Sequence, residues 1–303
     1  MELEVNIAGL TLKNLLMTAS GTYGYGFEYM PYIDPNTWGA IVTKGVSTVA
    51  WDGNKTPRVC ETPSGMLNAI GLQNPGVESF LTQSMPFLNI YKKVPLIVNI
   101  VGKTIEEYAE VAKRLNNENR ISAFELNISC PNVKEGGIAF GTDPVLVSAV
   151  ISAVKAVTNK PLIVKLSPNV TSIAVIAIAA ENAGADALTI SNTLLGMAID
   201  TKSRRPILAN KVGGLSGPAI KPIVLRLVWE VYKAVDIPII GVGGIMTADD
   251  ALQFIMAGAK AIQIGTALFV NPDAPNEILR GICDFMEREG INNLNDIVGA
   301  AHL

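Results

Sequence analysis

The chain has 303 residues, with 24 Lys+Arg against 27 Asp+Glu and a formal charge of -3. That mildly acidic balance, with no basic block, excludes a nucleic-acid backbone as the natural partner, because phosphate contacts need clustered cations. Hydrophobic residues make up 49% and charged residues 17%, a composition suited to strands covered on both faces. The longest candidate for a membrane span, residues 173–180, meets Glu181 and Asn182 too early to cross a bilayer. Met1-Glu2-Leu3-Glu4 offers no basic region ahead of an apolar core, so no secretion signal is visible. Cysteines at 60, 130 and 283 form neither a disulfide framework nor a CxxC pair. The expected compartment is reducing cytoplasm.

In chain order, eight short apolar runs read as strands: 15–20, 40–45, 96–102, 123–130, 162–168, 187–193, 238–244 and 261–267. Their apolarity is continuous rather than alternating, which marks strands buried on both faces. Between the second and third lies a stretch, 51–74, with Pro57, Pro63, Gly65 and Gly71 and no helical period. Its apolar segment Asn68-Ala69-Ile70-Gly71-Leu72 argues for an excursion over a binding site, with a small hairpin. Helix starts follow: Thr104 with Glu107 as a capping box, Asp143-Pro144, then Thr247 with Asp249 and Asp250. Gly184 and Gly258 stand where helices should stop. Eight strand–helix units predict an α/β fold, a (β/α)8 TIM barrel with a small insertion over its C-terminal mouth.

The polar residues gather at the strand ends. Asn127-Ile128-Ser129-Cys130-Pro131-Asn132 closes the fourth run with a thiol among amides and a hydroxyl. A thiol there can be a nucleophile, a metal ligand or a proton-transfer base; a buried structural cysteine is the plainer alternative. His302 is the only histidine and sits beside the C-terminus, so neither a histidine triad nor a zinc cluster can be assembled around the barrel. Lys44 and Lys165 each end a run of valines, where burial needs an anion or carbonyl partner. Asn68, Asn99, Asn127 and Asn192 occupy similar positions, and amides suit a ring bearing alternating N–H and C=O groups. The last two runs end in Gly241-Val242-Gly243-Gly244 and Gly265-Thr266. Together these turns fit a phosphate, which barrels commonly hold after strands seven and eight.

These residues, taken in order, resemble the class 1 dihydroorotate dehydrogenases over essentially the whole chain. The motifs are Asn127-x-Ser129-Cys130-Pro131-Asn132, Lys44-Gly45, Asn68 to Leu72, Lys165, Ser191-Asn192-Thr193 and the two glycine turns. The resemblance implies one barrel domain over residues 1–303 that binds FMN and oxidises dihydroorotate to orotate in pyrimidine synthesis. It makes Cys130 the base that removes the C5 proton. It assigns orotate to Lys44, Asn68, Ala69, Ile70, Gly71, Leu72, Asn127, Asn192 and Thr193. FMN falls to Ser20, Lys44, Gly45, Asn99, Asn127, Lys165, Ser191, Gly217, Gly243, Gly244, Gly265 and Thr266. No metal is expected on this chain. The glycines at 136, 137 and 141 imply a mobile loop over residues 133–141 that closes on the substrate.

Lys44-Gly45-Val46-Ser47, the segment from Thr62 to Asn68, and Gly213-Gly214-Leu215-Ser216-Gly217-Pro218-Ala219 resemble the B type. The B type passes electrons to NAD through a second subunit carrying FAD and a [2Fe–2S] cluster. This sequence has no four-cysteine motif and no NAD fingerprint, so a partner must supply both. A homodimer core within a heterotetramer is the expectation, with the fumarate-using A type as the alternative. Other rivals are a tRNA dihydrouridine synthase, an inosine-phosphate dehydrogenase relative with a nucleophilic cysteine, and a noncatalytic phosphate-binding barrel.

Overall fold

A computed structural model describes residues 1–128 and 140–302. Eight parallel strands form its centre: β1 (Leu16–Thr18), β2 (Ile41–Val42), β3 (Leu96–Ile100), β4 (Ile121–Asn127), β5 (Leu162–Lys165), β6 (Ala187–Ile190), β7 (Ile239–Gly241) and β8 (Ala261–Ile264). Each pairs with its sequence neighbour from β2 to β8, and β8 pairs back to β1, giving a (β/α)8 barrel. Seven of the strands lie inside their apolar runs, β4 begins two residues ahead of its run at Ile121, and all eight stop two or three residues before the run does. The trailing residues that are described leave the strand ladder at the rim.

The seam between β1 and β2 is the thinnest part of the ring. It consists of one isolated bridge, Met17 to Ala40, and a side chain that substitutes for backbone. Thr18 Oγ1 donates to the Val42 carbonyl at 2.9 Å and accepts from the Val42 N–H at 2.7 Å. Thr18 and Val42 are both fully buried, so water cannot replace either bond.

Helices cover the outside: α1 (Ile105–Leu115), α2 (Pro144–Lys155), α3 (Ile173–Asn182), α4 (Lys221–Tyr232), α5 (Ala248–Met256) and α6 (Ala274–Glu289). Their apolar stripes explain the docking; in α1, Tyr108, Val111, Ala112 and Leu115 face the core. At the start of α1 the Thr104 side chain accepts from Glu107 N. The Glu107 carboxylate, however, accepts from Lys103 N at 2.6 Å rather than from the cap residue, so only half of the expected box forms. A complete capping box opens α5, between Thr247 and Asp250. Gly184 and Gly258 adopt φ of 98° and 115° just past α3 and α5, the left-handed turn that ends helices. Among the described residues, no helix is long and apolar enough to cross a membrane.

Further elements lie outside the eight-unit pattern. A hairpin of Val5–Ile7 and Leu10–Leu12 precedes the barrel and buries Ile7 and Leu12. Residues 51–74 are closed at their base by a Trp51–Asn74 bridge and contain the hairpin Val59–Thr62/Gly65–Asn68. That hairpin is half of a larger unit, because Gly213–Ser216 and Leu194–Gly196 extend it to a four-stranded antiparallel sheet. The second half, inserted between β6 and α4, was not among the expected strands; its short, glycine-rich segments lack a readable period.

Replacing Thr18 by valine keeps the shape but leaves both buried backbone groups of Val42 unpaired. Urea unfolding is expected to show a loss of about 2 kcal/mol; an unchanged midpoint would contradict the role given to this seam.

Candidate active site

A cavity of about 670 Å³ opens at the C-terminal rim of the barrel, between the strand ends and the four-stranded sheet. Its size is that of a site for a cofactor or small ligand. The rim residues picked out from the sequence meet here: Ser20, Lys44, Gly45, Asn68 to Leu72, Asn99, Asn127, Lys165, Ser191, Asn192, Thr193, Gly217, Gly243, Gly244, Gly265 and Thr266 all line it. The convergence follows from topology, since parallel strands bring all their C-terminal ends to one face. Cys130, and residues 133–139 of the loop expected to close over the site, lie outside the described residues. Gly141, at that loop's far end, is buried in the short turn Phe140–Thr142.

The floor is a buried polar layer inside the barrel. Glu125, fully buried on β4, accepts from Asn99 Nδ2 at 2.7 Å, Thr189 Oγ1 at 3.0 Å and Gln263 Nε2 at 2.5 Å. Lys165 Nζ donates to Gln263 Oε1 at 3.3 Å. Burial pushes the Lys165 pKa down and the Glu125 carboxylate pushes back. Neither Glu125 nor Gln263 was named as a site residue. Both were detectable as polar residues inside otherwise apolar runs, where only a satisfied network makes burial tolerable.

The walls carry amides and strand-end backbone. Asn192 Nδ2 reaches Asn127 Oδ1 at 3.5 Å, and Asn192 Oδ1 accepts from Thr193 N at 2.8 Å. Tyr108 OH donates to the Asn127 carbonyl at 2.8 Å. Asn68 sits opposite Gly214 in the sheet and donates to its carbonyl at 3.3 Å. The segment Ala69 to Leu72 is held by Asn54, whose side chain donates to Ala69 O at 2.9 Å and whose N–H donates to Ile70 O at 3.0 Å. Near the mouth, burial lowers the Lys44 pKa, and Arg58, a second cation lining the cavity, lowers it further.

At the end of β7, Gly244 has φ of 75°, and a Cβ there would stand 2.7 Å from Gly217 O; glycine is required by the backbone itself. Gly265 differs, because a Cβ would meet only ordinary contacts, the nearest 3.6 Å away at Ala19. What its bareness preserves is the cavity. The N–H groups of Gly243, Gly244, Gly265 and Thr266 find no backbone acceptor among the described residues. Four such donors on one wall make an anion cradle. Among the described residues Asn99 Oδ1 is buried without a partner, a second group ready for a ligand donor.

His302 lies elsewhere, stacked on Trp229 at 3.6 Å between ring centres. No group of three His, Cys, Asp or Glu among the described residues could hold a metal.

A family model described as dihydroorotate dehydrogenase matches residues 2–286. The chain belongs to the dihydroorotate dehydrogenase family. It is 56% identical over 299 residues to "Dihydroorotate dehydrogenase B (NAD(+)), catalytic subunit" of Pelobacter propionicus, covering 99% of this chain and 98% of that one. The identically named protein of Desulforamulus reducens is 57% identical over 305 residues, covering 100% and 99%. Among solved structures, a dihydroorotate dehydrogenase from Eimeria tenella in complex with ferulenol superposes with a TM-score of 0.82 at 23% identity, covering 99% of this chain and 89% of that one. At that identity the likeness speaks for the fold alone.

Lys44 is less readily charged in the folded protein than in the unfolded chain, where its pKa is near 10.5. The unfolded state therefore binds more protons between the lowered value and 10.5, and stability rises with pH across that window. Lys44→Met is expected to raise the thermal midpoint of the ligand-free protein at neutral pH, roughly 2 °C for each kcal/mol regained, and to flatten that rise. A lower midpoint would contradict the electrostatic reading of this wall.

Proposed function

We propose that this chain catalyses the FMN-dependent oxidation of dihydroorotate to orotate as the catalytic subunit of an NAD-linked dihydroorotate dehydrogenase. The observation that carries the reading is one cavity with an anion cradle at one side, a lysine in its floor and a wall of amides. Relatives more than half identical over the full chain bear the matching name.

The residues fit FMN. The cradle of Gly243, Gly244, Gly265 and Thr266 suits its phosphate, with Gly217 and Ser20 at the same wall. Asn99, Lys165, Ser191, Gly45 and Asn127 would hold the ring system, and the Asn99 oxygen, without a partner among the described residues, would suit a ring N–H. When bound, FMN supplies the two-electron acceptor for the hydride that leaves C6 of the substrate.

The chain's own groups do the rest. Asn68, Asn127, Asn192 and Thr193 offer paired donors and acceptors that match the alternating N–H and C=O edge of a dihydropyrimidine. Lys44, with the backbone of Ala69 to Leu72, receives the carboxylate, and that anion offsets the charge repulsion Lys44 feels from Arg58. Cys130, as its thiolate, takes the C5 proton. Lys165 would face the pyrimidine edge of the ring, where negative charge grows on reduction.

An FAD/[2Fe–2S] partner subunit takes the electrons to NAD, in a heterotetramer built on a homodimer of this chain, in the cytoplasm. The B-type names of the relatives support this over the fumarate-using A type.

Purified protein loaded with FMN is expected to be yellow and to bleach on anaerobic addition of dihydroorotate. A protein that cannot take up FMN, or that stays oxidised, ends the reading. Cys130→Ser is expected to retain FMN while dihydroorotate reduces it about 10²–10⁴-fold more slowly at neutral pH, the usual worth of a general base. A stopped-flow trace matching the unsubstituted enzyme would remove Cys130 from that role.

A further inference from the structure

Glu125 and Lys165 are the only charged residues among the buried polar groups described, and Glu125 has no part in the chemistry above. The two do not touch; Gln263 stands between them. The direction of every bond in this chain follows from its lysine end. An ammonium only donates, so the Gln263 oxygen faces Lys165 and its NH2 faces Glu125. Glu125 Oε2 thus accepts from Gln263 and Thr189, while Oε1 accepts from Asn99 Nδ2. Both carboxyl oxygens act as acceptors, which is what an ionised carboxylate provides. Asn99 in turn must keep its Nδ2 on Glu125, and its Oδ1 is left buried and unpartnered beside the cavity.

Strand register explains why the groups meet. Asn99 and Glu125 are direct cross-strand partners on β3 and β4, and Lys165 and Thr189 on β5 and β6. Side chains at such positions point to the same side of the sheet, here the barrel interior.

We propose that Glu125 is a positioning residue for the cofactor site. Its buried carboxylate sets the hydrogen-bond polarity of the floor, so that a bound FMN meets the Asn99 carbonyl oxygen and a charged Lys165. The proposal rests on the FMN reading above. Its physical basis is that an ammonium buried this completely keeps its charge only with an anion in its network, and Glu125 is the anion present. Without it, Lys165 reaches neutrality more easily, and Asn99 is free to turn its amide over.

The test is the two-electron midpoint potential of bound FMN in the full-length enzyme, before and after Glu125→Gln. Two opposite effects make the sign informative. Removing a buried negative charge alone favours the reduced, anionic flavin and raises the potential. Losing the charge of Lys165, which lines the cavity where Glu125 does not, lowers it. The expected result is a fall equivalent to at least a tenfold loss in the reduction equilibrium, about 30 mV for a two-electron couple. A rise, or no shift, overturns the proposal.

Gln263→Met leaves Glu125 bonded to Asn99 and Thr189 but cuts the bridge to Lys165. It is expected to lower the potential in the same direction by a smaller amount, and it serves if the Glu125 variant does not fold. An unchanged potential in Gln263→Met, with only thermal stability affected, would reduce the network to a structural role. Failure of the unsubstituted protein to bind FMN would instead sink the functional reading on which the proposal stands.

Discussion

A carboxylate and an ammonium buried inside an eight-stranded ring are the constraint around which the functional end of this molecule is organised. Either charge alone, removed from water, would cost several kcal/mol. The barrel tolerates them because β3, β4, β5, β6 and β8 each contribute a polar side chain to one connected layer. Above that layer the strand ends turn outward and give up their ladder hydrogen bonds, leaving backbone donors and amides around the cavity. Below it the interior is apolar. The polar layer is therefore the boundary between a part of the fold that exists to be stable and a part that exists to bind.

The same constraint shapes the electrostatics. One lysine is embedded in the floor within reach of a carboxylate, and another, Lys44, is buried at the wall, where among the described residues a second cation, Arg58, bears on it. The floor lysine is matched by the protein; the wall lysine waits for a ligand to match it. On the proposed function, that difference separates a group that tunes the cofactor from one that receives the anionic substrate, and it gives the cavity a direction along which the two ligands can be placed.

Much of this was legible in the sequence. Continuous apolar runs ending in Ser20, Lys44, Asn99, Asn127, Lys165 and Ser191 revealed parallel strands and their functional ends together, because a parallel barrel places all those ends on one face. Gly243-Gly244 marked one turn by lacking side chains where neighbouring atoms come close, and Gly265 marked the other by leaving the cavity wall bare. Two features were not legible. Gly213–Ser216 completes a sheet with a hairpin almost 150 positions earlier, and pairing across that distance leaves no periodic trace in so short a strand. Glu125 and Gln263 were visible only as interruptions of apolar runs; their meaning depends on three-dimensional register, which places Asn99 beside one and Lys165 beside the other.

The account makes one claim on which the others depend: the rim cavity holds FMN and the pyrimidine together in a fixed order. A crystal structure of the protein with FMN and orotate bound tests it most directly. The account predicts the FMN phosphate on the amides of Gly243, Gly244, Gly265 and Thr266, the ring over Lys165 and Asn99, and the orotate carboxylate at Lys44. A phosphate found away from those amides, or orotate bound outside this cavity, would contradict it.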